Sequence, residues 1–217
     1  MSLLQPIVPE LATFSDGQRC LLWRCESQRH QLSCAPVGGG LSVVDWVVNL
    51  EVDGQYARHD LAVHAAEVSS HLGLAGQGVT MLTAADVGAV VSAAEQGVRV
   101  DVTVGISTPT WAAAESFDEG NVGPGTINIV VQLPISLTAA AAVNVVITAT
   151  EAKSQALIEH GVAGTGTATD AVVVLWPEGV ENSEPIQFGG PRSQWGGSVA
   201  RVVHAAVGRG IEDWRKR

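Results

Sequence analysis

Lys153 is the sole Lys or Arg between Arg99 and Arg192, an interval that also holds ten Asp and Glu. A cation isolated in so acidic a stretch is solvated, paired across the fold with a carboxylate, or facing a ligand. It lies in the segment 149–174, ATEAKSQALIEHGVAGTGTATDAVVV, which also carries Glu151 and, from Gly164 to Asp170, the run GTGTATD. Glycines there let the backbone approach a ligand closely, and successive backbone N–H groups can receive an oxyanion or a phosphate. The run is not a P-loop, because it lacks GxxxxGK[ST], precedes a strand instead of opening a helix, and has its lysine upstream. The alternatives are structural: Lys153 solvated or anchoring its helix to an acidic loop, and GTGTATD forming a tight turn whose hydroxyls satisfy local backbone. On an ideal helix Glu151 shares a stripe with Asn144, Thr148 and Gln155, whereas Lys153 projects toward nearly the opposite side, so the two are not simple neighbours in one pocket.

Other reactive side chains form no recognisable set. His64 and His71 share a helical face two turns apart, and the spacing of His59 to His64 is not the four-residue step that lets two imidazoles chelate one zinc, so no metal site is expected even with Glu67 nearby. There is no GxSxG elbow. Cys20, Cys25 and Cys34 are odd in number and lack CxxC spacing, which leaves reduced, structural cysteines as the expectation.

Composition narrows the partners. The 217 residues are 46% hydrophobic and 16% charged with a formal charge of −10, against roughly a quarter charged in typical globular chains. Such a chain buries a large core under an unusually neutral surface, part of which we expect a second subunit to cover in a homo-oligomer. Nucleic acid is not expected as a partner, since phosphate neutralisation needs clustered Lys and Arg; a neutral or cationic small ligand suits the acidic field. The opening residues MSLLQPIVPELATFSD lack a basic region and are interrupted by Pro6 and Pro9, unlike a secretory signal. The uncharged stretch from Gly120 to Thr150 is long enough for a bilayer, but Gly123, Pro124, Gly125, Asn128, Gln132, Pro134 and Asn144 punctuate it. We expect no membrane span and a cytoplasmic protein.

The elements that must position these residues alternate in period. Arg19 to Glu26 and Leu41 to Val52 read as strands, the second after a Gly38-Gly39-Gly40 turn. His59 to Leu74 reads as a helix, and Val79 to Leu82, Val87 to Ala94 and Val98 to Ile106 as strands, the last two joined by a hairpin at Glu95-Gln96-Gly97, with an Ala-rich helix as the alternative for the middle one. A polar loop from Glu115 to Gly125 leads to Thr126 to Leu133, a half-buried strand with Asn128 and Gln132 on one face, ended by Pro134. Leu137 to His160 is a helix capped by Thr138 and stopped by Gly161. Ala171 to Leu175 is a short apolar strand, Glu178 to Gly197 a long loop, and Ser198 to Arg209 a final helix. The interleaving predicts α/β or α+β architecture: one domain over residues 1–217, a mixed β-sheet and packed helices, with no internal repeat.

The blocks GGLSVVDWVVNLEV, GVTMLTAADV, VTVGISTPTWA, GTINIVVQLPISLTAAAAVNVVITATEAKSQAL and GTGTATDAVVV, with the Gly-rich stretch from Gly189 to Gly197, run in an order that resembles the adenosylcobinamide amidohydrolase (CbiZ) family from about Gly38 to the C-terminal helix. The resemblance implies a corrinoid as ligand and hydrolysis of the amide joining its aminopropanol arm to the ring carboxyl, giving adenosylcobyric acid for corrinoid salvage, with no evident cofactor. It suggests Glu151 or Asp170 as general base and Lys153 as the group that stabilises negative charge or donates the proton. The backbone from Gly164 through Thr165 and Gly166 to Thr167 would then serve as oxyanion hole. Thr165 or Thr167 as covalent nucleophile lacks an adjacent base or N-terminal amine. Asn49, Asn128 and Thr169 are expected to orient substrate, the asparagines having ordinary strand-end hydrogen bonding as their alternative. One departure stands out: after VTVGIS, where many relatives have Asn, this chain has Thr108 before Pro109. If that Asn holds substrate, specificity here differs.

Overall fold

Side chains alternate faces along a strand, and here both faces of most strands are apolar, so both must be covered. A computed structural model describes residues 5–14, 17–115, 125–179 and 184–217. Its elements are β1 (Glu10–Thr13), β2 (Arg19–Ser33), β3 (Gly40–Glu51), α1 (Leu61–His71), β4 (Gly78–Thr83), β5 (Val91–Glu95), β6 (Val98–Gly105), β7 (Thr126–Gln132), α2 (Ala139–Glu159), β8 (Ala171–Pro177) and α3 (Gln194–Trp214). They form one mixed sheet in the order β4-β3-β2-β8-β7-β6-β5, with β1 beside β2. β3 and β4 are parallel, as are β7 and β8, and the remaining pairs are antiparallel.

β2 is the joint of this sheet. Its register against β3 shifts between Arg24 and Arg29. Before the shift it pairs with β1, and after it with β8. A bulge bends a strand and raises its twist, and the sheet folds over itself. Leu21, Trp23, Val47, Val79 and Met81 of one half thus meet Val130, Val173 and Leu175 of the other. The alternate residues of the first half, Cys20, Leu22, Val48 and Leu50, turn outward to Val68 of α1. Those of the second half, among them Val100, Val102, Ile127, Ile129, Val172 and Val174, pack under Val145 and Ala149 of α2 and Val199 and Val203 of α3. The layers are helix, sheet, sheet, helix.

Between the halves lies a polar seam. Asn49 Nδ2 donates to Thr103 Oγ1 (3.0 Å), and Asn128 Nδ2 donates to Asn49 Oδ1 (2.8 Å) and to the Leu82 carbonyl (2.9 Å). Asp101, with a fully buried side chain, accepts from Trp23 Nε1 (3.1 Å), from Arg99 (2.7 and 3.0 Å) and from Ser92 Oγ (2.6 Å). The Trp23 and asparagine bonds join strands that are not neighbours in the sheet, and so fix how one half lies on the other.

The architecture agrees with the α/β expectation, and several boundaries move for identifiable reasons. All seven residues of β7 are buried, not half of them. α2 and α3 cover one face and the folded-over half covers the other, while Asn128 and Gln132 do share a face. β2 runs seven residues beyond Glu26, and β1 has no counterpart in the sequence reading: their polar and exposed positions hide strands whose ladders, not side chains, hold them. Val87–Ala89 is a 3₁₀ turn before β5. The hairpin is present, with Gln96 and Gly97 both at positive φ (52° and 86°), as a two-residue type I′ loop requires. Thr138 caps α2 through the Ala141 N–H, and Gly161 ends it.

α3 begins at Gln194, not Ser198, and reaches Trp214. Gly196 and Gly197 have the composition of a loop, but a Cβ at Gly196 would strike the carbonyl oxygens of Gly189 and Gly190. Close packing therefore explains that glycine inside a helix capped by Ser193. Residues 116–124 of the polar loop and 180–183 of the long one lie outside the described residues. Among the described residues no helix is long and apolar enough to cross a membrane.

Asp101→Ala leaves the Trp23 indole without its acceptor and Arg99 with Ser92 Oγ in place of a carboxylate. We expect a loss of roughly 3 kcal/mol in chemical denaturation, because removing one partner of a buried pair strands the other. Substitution at exposed Gln55 should move the midpoint little.

Candidate active site

A cavity of about 780 Å³ opens where the C-terminal ends of β3 and β4 meet the N-terminal ends of β7 and β8. One wall is the loop after β3, with Asp53, Tyr56 and Arg58, together with Leu61 at the start of α1. The other comprises Thr108 to Trp111, Gly125 and Thr126, and Ala168 to Ala171. Its size falls within the usual small-molecule range, and apolar side chains such as Val52, Leu82 and the half-exposed Trp111 alternate with a few polar groups.

Asp170 is the most heavily bonded group on this wall. One oxygen accepts from the Ile127 N–H (2.9 Å) and Thr167 Oγ1 (2.5 Å), the other from the Thr167 N–H (3.1 Å) and Lys153 Nζ. The side chains of Lys153 and Asp170 are 8% and 11% exposed. Four donors fill the acceptor positions of a carboxylate. Lys153 sits on the buried side of α2 and ties that helix to the loop before β8 and, through Asp170, to the start of β7.

Gly166 is glycine because the ion pair lies against its Cα: a Cβ would fall on the Asp170 carboxylate and 2.5 Å from Lys153 Nζ. At Gly164 a Cβ would come within 2.7 Å of the Thr110 nitrogen. The closeness has a purpose, because the GTGTATD loop pairs with the segment after β6. The Thr110 N–H donates to the Gly166 carbonyl (2.8 Å), the Thr165 N–H to the Thr110 carbonyl (3.0 Å), and the Ala112 N–H to Thr165 Oγ1 (3.2 Å). Ser154 Oγ of α2 donates to the Thr165 carbonyl (2.9 Å).

Of the expected site residues, the fold brings together Lys153, Gly166, Thr167 and Asp170. Gly164 and Thr165 brace the same loop, and three of the N–H groups expected to receive an oxyanion already donate: Gly164 to the Val162 carbonyl, Thr165 to Thr110, and Thr167 to Asp170. Thr169 stands on the cavity wall, its hydroxyl 2.7 Å from that of Thr126. Asn49 and Asn128 meet each other in the seam, 1% and 2% exposed, and reach the cavity only through the Leu82 carbonyl. Glu151 is not with the others. It is exposed on the outer face of α2, in a shallow groove with Thr150, Ser154 and Ile158.

Sequence reading missed the opposite wall. Tyr56, the only tyrosine in the chain, places its hydroxyl 2.7 Å from His64 Nδ1. Arg58 bonds both Asp60 and Glu67 (2.7 Å each) and holds the Asp60 carboxyl down at about 2. In the sequence His64 draws notice only as a metal ligand, and a lone Tyr in a polar loop is the available signal. Among the described residues no three His, Cys, Asp or Glu converge as metal ligands would.

Burial pushes the Cys20 and Cys25 thiols up to about 11, whereas Cys34 is exposed and lines the cavity. Thiolates are the reactive form. Titration of the native protein with a disulfide reagent at pH 8 should therefore show one fast thiol, lost in Cys34→Ser, with the other two appearing on unfolding. Gly166→Ala should force the Lys153–Asp170 pair apart and lower stability by about 1–3 kcal/mol in denaturant titration.

Comparison with known proteins adds a name to this geometry. The family model for adenosylcobinamide amidohydrolase, CbiZ, matches residues 8–217. A protein of Methanosarcina mazei named adenosylcobinamide amidohydrolase is 26% identical over 183 residues, covering 81% of this chain and 87% of the relative. The family match spans both walls of the cavity, the Lys153–Asp170 pair and the strands that carry them, and the chain belongs to the adenosylcobinamide amidohydrolase family.

Proposed function

We propose that this protein hydrolyses the amide between the aminopropanol arm of adenosylcobinamide and the corrin carboxyl, releasing 1-amino-2-propanol and adenosylcobyric acid. The observation that carries the reading is the family match from residue 8 to residue 217, which includes every residue lining the cavity. The protein's charge of −10 suits a ligand that brings no excess negative charge, and a cavity of small-molecule size would take the amide arm rather than the whole corrinoid.

Amide hydrolysis requires an activated water, a stabilised tetrahedral oxyanion and a proton for the leaving nitrogen. Lys153 stands behind this wall, buried and bonded to the Asp170 that lines it. Among the described residues its hydrogen bonding is to Asp170 alone, so an ammonium with three donors retains two for negative charge that develops nearby. Asp170 acts first by holding Lys153 and the Gly164–Thr167 loop in place. It accepts a proton from water only by giving up one of its four bonds. The hydroxyls of Thr169 and Thr126 supply adjustable donors on the cavity surface, with Thr167 tying the loop to Asp170. Asn49 and Asn128 act indirectly, by fixing the cavity floor at Leu82. Thr108 lies on the cavity wall, where a difference from relatives alters contact with substrate.

The filled acceptor positions of Asp170 favour a second reading, a corrinoid-binding protein without turnover. The two separate on incubation of the purified protein with adenosylcobinamide. The enzyme reading expects aminopropanol and adenosylcobyric acid in equal amounts by mass spectrometry, and Lys153→Met should lower kcat by roughly 10²-fold or more with ligand binding retained. Tight binding with no release establishes the carrier instead. Bound corrinoid should also shield Cys34 from thiol reagents.

A further inference from the structure

With both oxygens of Asp170 occupied, the wall that it lines offers no ready proton acceptor, but the opposite wall does. Tyr56 lines the cavity from the loop after β3, and its hydroxyl is 2.7 Å from Nδ1 of His64 near the start of α1. The two rings stack with centroids 5.6 Å apart and an interplanar angle of 23°. Tyr56 lines the cavity while His64, 8% exposed, does not, so the phenol stands between the imidazole and the cavity. Local bonds hold the loop in this arrangement. The Tyr56 N–H donates to the Asp53 carbonyl (3.1 Å), the Gln55 N–H to Asp53 Oδ1 (2.7 Å), and Arg58 clamps Asp60 and Glu67 on either side of His64 in sequence.

We propose that Tyr56, backed by His64, is the proton-transfer group of this site, an inference that rests on the amidohydrolase reading. In the first step a water gives one proton to the Tyr56 oxygen as Tyr56 passes its own to His64 Nδ1. The water oxygen bonds to the amide carbon, and the carbonyl π pair moves to oxygen. In the second step the oxyanion collapses, the C–N bond breaks, and the imidazolium returns its proton through Tyr56 to the departing nitrogen. One water is consumed, a carboxylic acid and an amine leave, and nothing is oxidised or reduced. Tyr56 is the catalytic residue and His64 acts through it.

The charges facing His64 are Arg58 and Asp60 from the preceding loop and Glu67 on its own helix. Burial chiefly, and then Arg58, lowers its pKa from 6.5, against the opposing pull of Glu67 and Asp60. The neutral imidazole that can accept a proton is therefore kept to lower pH than an ordinary histidine would allow.

Steady-state hydrolysis of adenosylcobinamide, with binding measured separately, tests the assignment. Tyr56→Phe should lower kcat by about 10²-fold or more with affinity within a few-fold of wild type. His64→Gln keeps an acceptor for the phenol but cannot carry the proton, and it should lower kcat and abolish an acid limb in the wild-type pH profile lying below 6.5. Unchanged denaturation midpoints show that the folds are intact. Tyr56→Phe turning over within threefold of wild type, or His64→Gln keeping the limb, overturns the relay and leaves the amidohydrolase reading standing. Absence of turnover by the wild type overturns both.

Discussion

Folding one sheet over itself is the constraint from which the other features of this protein follow. It gives the strands of the second half two apolar environments, helices outside and the first half inside, so β7 and β8 can be buried along their whole length. Burial on both faces leaves side chains few polar options, and those present pair across the seam: Asn49 with Thr103 and Asn128, and Asp101 with Trp23. Apolar contacts alone would let one half slide on the other. Directional bonds between buried polar groups have few alternative arrangements, and they set the register of the halves.

That register decides the cavity. Because the C-terminal ends of β3 and β4 come against the N-terminal ends of β7 and β8, loops far apart in sequence face each other across about 780 Å³. On one side a buried ammonium demands a carboxylate, and Lys153 and Asp170 supply it from a helix and a loop. The demand propagates: Gly166 has no room for a side chain, and Thr110 closes the loop from outside. On the other side Arg58 and its two acidic partners hold Tyr56 and His64. The cavity thus has one wall backed by a buried ion pair and another that carries a hydrogen-bonded tyrosine and histidine.

Much of this is legible in the sequence. Apolar runs bounded by turn residues locate β3, β6 and β7, and the capping residue and terminal glycine bound α2 within two residues. The scarcity of cations singles out Lys153, and the helical stripe separates it from Glu151, which does lie on the outer face. The second half of β2 and the start of α3 are not legible. Their side chains look like loop, and only the neighbouring strands or the Gly189–Gly190 backbone explain them. The pairing of Tyr56 with His64 escapes notice for a related reason, since the two are eight residues apart across a loop and a helix start, a spacing that no periodicity marks.

Local terms are readable from the order of residues: which segments are apolar at helical or strand period, where caps and turns fall, which charges are scarce, and which blocks resemble a known family. These depend on neighbours a few residues apart, and composition encodes them directly. The tertiary structure alone decided that Lys153 meets Asp170, that the Gly/Thr loop's N–H groups are largely engaged, that Asn49 and Asn128 bond each other in the seam, and that Tyr56, backed by His64, faces the same cavity. Those outcomes hang on how a bent sheet closes on itself. Burial energy summed over many residues settles that closure, and the energy of a buried polar group depends on which partner it finds there.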